Sequence, residues 1–150
     1  MVCLAVAPAQ AAVWFTQDAL LGSFFPGEAS AITTVWTPSA AQSAAFKAKV
    51  GYVPPAKSYT WFTADATASA DVAIIDEQLG QHEPITFGVL LSADCAVNRV
   101  EIMVYREAYG EGVRAPAFRD QFSGRKAADP MRAGKEIQIV SGATVSSRSL

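Results

Sequence analysis

The chain has 150 residues, 51% hydrophobic and 17% charged, which suits one domain with a packed core and excludes a disordered chain. Lys plus Arg is 12 against 14 for Asp plus Glu, a formal net charge of -2 with no basic stripe, so nucleic acid is a poor partner. One histidine and two cysteines argue against a protein-built zinc site, and no apolar run reaches the roughly 18 residues of a membrane helix.

The first residues are small and apolar and end in Ala9-Gln10-Ala11, an A-x-A pattern like the tail of a secretory signal peptide. Residues 1–11 are read as a signal remnant and 12–150 as the domain; the other reading of the start is a short apolar strand. Loss of Cys3 with that segment leaves Cys95 without a disulfide partner. Thr16 is the predicted N-cap of a helix in which Leu20, Leu21, Phe24 and Phe25 fall at helical spacing, stopped by Pro26-Gly27. Val35-Trp36 reads as a short strand. Thr37-Pro38 then opens a second helix through Phe46 to Val50, closing at Gly51, with a stripe made mostly of alanine.

From Lys57 the period changes to two. Segments 58–63, 71–76, 85–91 and 97–105 read as strands, and Ser92-Ala93-Asp94-Cys95-Ala96 as the turn of a hairpin joining the last two. Alternation puts Ile85, Phe87, Val89 and Leu91 on one face and Thr86, Gly88 and Leu90 on the other. Beyond Arg106 the chain is polar and glycine-rich until Ile137-Gln138-Ile139-Val140. Residues 146–150 read as the start of a helix that continues past Leu150 in the natural protein. The fold class is α+β: two N-terminal helices packed on a twisted antiparallel sheet of about four or five strands, followed by a loop-rich C-terminal third.

The chain has no P-loop, H-E-x-x-H, C-x-x-C or G-x-S-x-G pattern. Its one histidine, His82, reads as a loop or strand-end residue bonding the backbone. The informative segment is Ser141-Gly142-Ala143-Thr144-Val145-Ser146-Ser147. Gly142 permits a tight bend with positive φ, and Ala143 keeps the surface flat beside it. Thr144 offers a hydroxyl where a helix begins, with the N–H groups of Val145, Ser146 and Ser147 directed at whatever it carries. A phosphate suits that place. An ordinary threonine N-cap after a glycine turn is the other reading of the same residues.

The segment resembles the S/T-G-A-T signature of the FMN-binding domain family, found in flavin subunits of the Na⁺-pumping NADH:quinone reductase and the Rnf complex and in stand-alone periplasmic flavoproteins. The likeness extends to Glu107-Ala108-Tyr109-Gly110, similar to the family's Glu-x-x-Gly. It includes Phe118 with Gln121-Phe122-Ser123-Gly124-Arg125-Lys126, similar to an F-x-x-Q-F-x-G-K element with Arg125 inserted, and also Gly80-Gln81-His82-Glu83-Pro84-Ile85-Thr86-Phe87 and Tyr105-Arg106-Glu107. It runs from about Asp71 to Ser147 and reaches weakly to Phe24-Phe25-Pro26-Gly27.

The resemblance implies FMN as cofactor, esterified through its phosphate to Thr144 by a FAD:protein FMN transferase. It implies a site of Ser141, Gly142, Ala143, Thr144, Val145, Ser146, Ser147, Glu107, Gly110, Phe122, Gly124 and Lys126. Two departures stand out. Gln138 occupies the position where the transferase's recognition pattern has Asp, with Glu136 two residues earlier, and the family's full helix after the motif is expected to be missing here. Tyr105, Tyr109, Phe118 and Phe122 could pack on the flavin ring, although aromatics at strand ends are more often core. Arg114, Arg119 and Lys126 could neutralise phosphate, although each reads more readily as solvated surface. The expected role is a periplasmic or otherwise extracytoplasmic electron carrier with a membrane or periplasmic redox partner, rather than a stand-alone catalyst. A flavin-dependent reductase and a cofactor-free envelope domain of the same fold are the alternatives.

Overall fold

Thr16 caps the first helix, its side chain accepting from the Ala19 N–H at 3.2 Å, and α1 runs Gln17–Phe24 before Pro26-Gly27 ends it. The computed structural model describes residues 11–28, 31–50, 58–65 and 70–150; Cys3, Gly51 and the A-x-A pattern up to Gln10 lie outside them. Among the described residues six strands form one sheet: β1 Ala12–Val13, β2 Ile32–Trp36, β3 Tyr59–Thr63, β4 Val72–Leu79, β5 Pro84–Leu91 and β6 Val97–Tyr105. Their order is β1-β6-β5-β4-β3-β2, every neighbour antiparallel. The architecture is therefore α+β, with one or two more strands than expected. The added strand is β1, which pairs Ala12 with Tyr105 and Val13 with Val104; two residues carry too little periodicity to be read from sequence.

The expected hairpin is present, with Val89 opposite Val100, and irregularities between Thr86 and Phe87 and between Leu90 and Leu91. Both faces of the sheet are covered, so alternation separates two cores. On one face Leu90, Ala73 and Met103 pack with Leu20, Leu21 and Phe24 of α1. Gly88 belongs to this face because Leu20 fills the space a side chain would take. On the other face Ile85, Ile102 and Phe87 pack against Val113, Phe118, Phe122, Ile137 and Ala143.

The second helix, α2 (Ala40–Val50), departs from expectation twice. Its cap is Ser39, not Thr37: the Ser39 N–H donates to Gln42 Oε1 at 2.9 Å and the Gln42 N–H to Ser39 Oγ at 3.2 Å, a reciprocal capping box. It also adds no residue to either core among the described residues, and Phe46 is 43% exposed. An alanine stripe offers little apolar area to bury.

The C-terminal third is less loop-like than expected. It carries 3-10 turns at Glu111–Arg114 and Asp120–Phe122, with the short helices α3 Pro116–Arg119 and α4 Thr144–Ser149. It is laced to the start of β6, where the Gly124 N–H donates to Val97 O at 2.7 Å and the Val97 N–H to Arg125 O at 2.8 Å.

Candidate functional site

Ser141 and Gly142 are the exposed corners of a turn closed by the Ala143 N–H donating to Val140 O at 3.0 Å. Gly142 has φ 76° at the third position, as a type II turn requires. Ala143 is buried and is itself the N-cap of α4, so Thr144 is the first helical residue rather than the cap. Thr144 and Val145 face solvent, whereas Ser146 and Ser147 are buried.

The two serines fasten the helix. The Tyr105 hydroxyl donates to the carbonyl of Tyr109 at 2.6 Å, so Ser146 Oγ is the donor in its 2.8 Å contact with Tyr105 Oη. Burial raises the Tyr105 pKa, and the bond from Ser146 opposes that rise. Ser147 Oγ accepts from the Val140 N–H at 3.2 Å, and the Ser147 N–H donates to Ala143 O at 2.9 Å. The Ser147 amide is thus committed to the helix and not available to a ligand, contrary to expectation. Thr144, Val145 and Ser146 hold the first-turn amides that lack intrahelical partners.

Two further segments meet this turn. Gly110 has φ 96°, and a Cβ there would stand 2.5 Å from Tyr105 Oη, 3.0 Å from Ser146 Oγ and 3.4 Å from Ala143 Cβ. A Cβ on Gly112 would meet Val140 Cγ1 at 2.8 Å. The loop after β6 therefore lies directly against the turn and α4. Its Glu107 carboxylate is buried and accepts from the His82 N–H at 2.5 Å and the Glu83 N–H at 3.0 Å. Burial by itself would raise the Glu107 pKa; the amides of His82, Glu83 and Gln81 outweigh it, and the net shift is downward. The exposed His82 ring lies 3.6 Å from the same carboxylate. Ser149 Oγ donates to Leu79 O at 2.7 Å, tying the end of α4 to the end of β4. Glu107, Gly110 and Ser141–Ser147 are thus gathered at the Tyr105 end of β6.

The other expected residues are elsewhere. Gly124 and Lys126 lie at the Val97 end of β6, roughly 25 Å away at the rise of an extended strand. Lys126 Nζ pairs with Asp94 Oδ2 at 2.7 Å, which with the Ser92 hydroxyl holds the Asp94 pKa at about 2. Phe122 is buried edge-on against Phe118, their centroids 5.5 Å apart. Arg114 stacks over Trp14, 4.7 Å from the ring centroid, and Arg119 is paired with Glu101. Gln138 is exposed and bracketed by Gln121, whose Oε1 accepts from its N–H at 2.7 Å. Beside Leu150 an apolar pocket of ≈ 240 Å³ opens, lined in part by Phe87, Val89, Val100 and Met131.

The model of the FMN-binding domain matches residues 80–150. Residues 80–150 are an FMN-binding domain. FMN is accordingly the cofactor. Comparison with curated proteins gives no match. The match begins at Gly80, in the loop that clasps Glu107, and takes in β5, β6 and the whole C-terminal third. The segment before it supplies β1 to β4 and α1, which complete the sheet and cover its other face.

The residues at the Tyr105 end fit the phosphate of FMN. Thr144 presents its hydroxyl to solvent on a fixed turn, and nothing lies within 4 Å of where a Gly142 side chain would begin. The buried contacts of Ala143, Ser146 and Ser147 hold that turn in place without using the Thr144 side chain.

Proposed function

We propose that this protein carries FMN as a phosphoester on Thr144 and serves as an extracytoplasmic electron carrier. The observation that carries the reading is the Ser141-Gly142-Ala143-Thr144 turn within the matched domain, with Thr144 exposed and its neighbours fastened. In the loading reaction the Thr144 hydroxyl oxygen bonds to the flavin-side phosphorus of FAD. The pyrophosphate bond breaks, AMP leaves and the hydroxyl proton is released. A FAD:protein FMN transferase is the partner for this step. Bound FMN supplies one- and two-electron chemistry. The chain holds the phosphate at one end of the sheet, where Glu107, Gly110, Ser146 and Ser147 keep the attachment point rigid.

The location is supported by the Ala9-Gln10-Ala11 pattern, and electron transfer to a membrane or periplasmic redox partner by the resemblance to respiratory flavin subunits. Coexpression with the transferase should add one FMN-phosphoryl mass, fluorescent in a denaturing gel. Thr144→Ala should abolish it while leaving the fold intact, since the threonine side chain is exposed. An adduct that survives in Thr144→Ala would refute the site. Gln138→Asp should raise the labelled fraction, because it supplies the carboxylate of the transferase's recognition pattern on an exposed position.

A further inference from the structure

An anion fixed to Thr144 would need a counter-charge, and the cations that the sequence suggests for that task are spent elsewhere. Lys126 serves Asp94 at the far end of the sheet, Arg119 serves Glu101 and Arg114 stacks on Trp14. Arg99, Arg106, Arg125 and Arg132 each make hydrogen bonds as well. Among the described residues Arg148 is the one arginine whose side chain makes no hydrogen bond, ion pair or ring contact, and it is exposed. It stands four residues after Thr144 on α4, so the two share one helix face.

We infer that Arg148 is the phosphate-binding residue of the FMN site, pairing with the phosphodiester once FMN is on Thr144; this rests on the reading of Thr144 given above. Four residues of helix separate the two Cα atoms by about 6 Å along the axis. Helical side chains lean toward the N-terminus, which brings a long guanidinium at the fourth position back over the first. Its planar fork matches the two non-bridging oxygens of a phosphodiester. An anion four residues N-terminal to a cation is also the favourable order for such a pair.

Two measurements test this separately from the attachment itself. In the first, phosphothreonine is encoded at position 144 of the full chain and its phosphate is titrated by ³¹P NMR. Relative to Arg148→Gln, the unsubstituted arginine should lower the phosphate pKa by about 0.3 of a pH unit, the size of an exposed i,i+4 ion pair. Arg148→Lys should lie between the two, and about 0.5 M salt should erase the difference. Identical titrations of the unsubstituted chain and the Arg148→Gln variant would overturn the inference. In the second, the same three sequences are loaded with FMN by the transferase and melted beside their unloaded forms. The unloaded proteins should melt together, and the loaded arginine form should melt above the loaded Arg148→Gln form. A normal adduct on Thr144 with no effect of Arg148 in either measurement overturns the ion pair alone. A titration shift with no adduct on Thr144 overturns the attachment while leaving the arginine–phosphate contact standing.

Discussion

Gly110 and Gly142 flank Thr144, the proposed attachment point, and they meet different constraints. Gly110 combines φ 96° with a Cβ position already filled by Tyr105, Ser146 and Ala143. Gly110→Ala therefore adds overpacking to backbone strain and should destabilise the fold by about 3 kcal/mol in chemical denaturation. Gly142 has φ 76° but open space around it, so Gly142→Ala should cost only the strain, about 1 kcal/mol. Equal costs at the two positions would mean that the packing against Ser146 does not matter. Glu107 offers a pH test. Its folded pKa is lowered, so the stability it contributes is fully present above the ordinary glutamate value and is lost as pH falls through the folded value. Glu107→Gln should therefore weaken the protein at pH 7 by about 2 kcal/mol. The gap between the denaturation midpoints of the two proteins should close in acid. A gap that stays constant from pH 7 to pH 3 would show that the carboxylate charge is not what the amides of residues 81–83 bind.

Among the elements, the β5–β6 hairpin is legible in the sequence because each face of β5 carries its own apolar set and polar turn residues separate the strands. The Ser141–Thr144 turn is legible for a similar reason: Gly142 and the small residues around it admit few backbone solutions. What sequence adjacency does not convey is which end of a strand a residue reaches. Lys126 follows Phe122 closely in the chain, yet the bonds of Gly124 and Arg125 to Val97 hold it at the wrong end of β6 for Thr144. The sequence does carry a signal for Arg148, its i,i+4 spacing to Thr144, but only the employment of the other arginines shows it to be available. The packing of α1 on β5 makes a further prediction. Leu20 is 0% exposed and occupies the space over Gly88. Leu20→Ala should cost about 3 kcal/mol of unfolding free energy. Phe46→Ala on the exposed side of α2 should cost far less, and comparable losses would place α2 in the core after all.

For the molecule as a whole, one sheet serves two cores, and each core depends on a different part of the chain. A version ending at Arg106 would leave Ile85, Ile102 and Tyr105 without their cover and should lose its cooperative thermal transition. The sheet also closes in an order that translation does not favour. One of its edge strands, β1, comes first in the chain, but its partners are Val104 and Tyr105. A nascent chain therefore holds Ala12 and Val13 unpaired until most of the polypeptide has been made, and the same Tyr105 must then also receive Ser146. The loop that joins these partners is long, so its closure is slow compared with the local hairpins. Edge closure and assembly of the Ser141–Thr144 turn are thus late events of folding, and on the proposed reading a transferase acting on Thr144 would meet it properly displayed only on a finished domain.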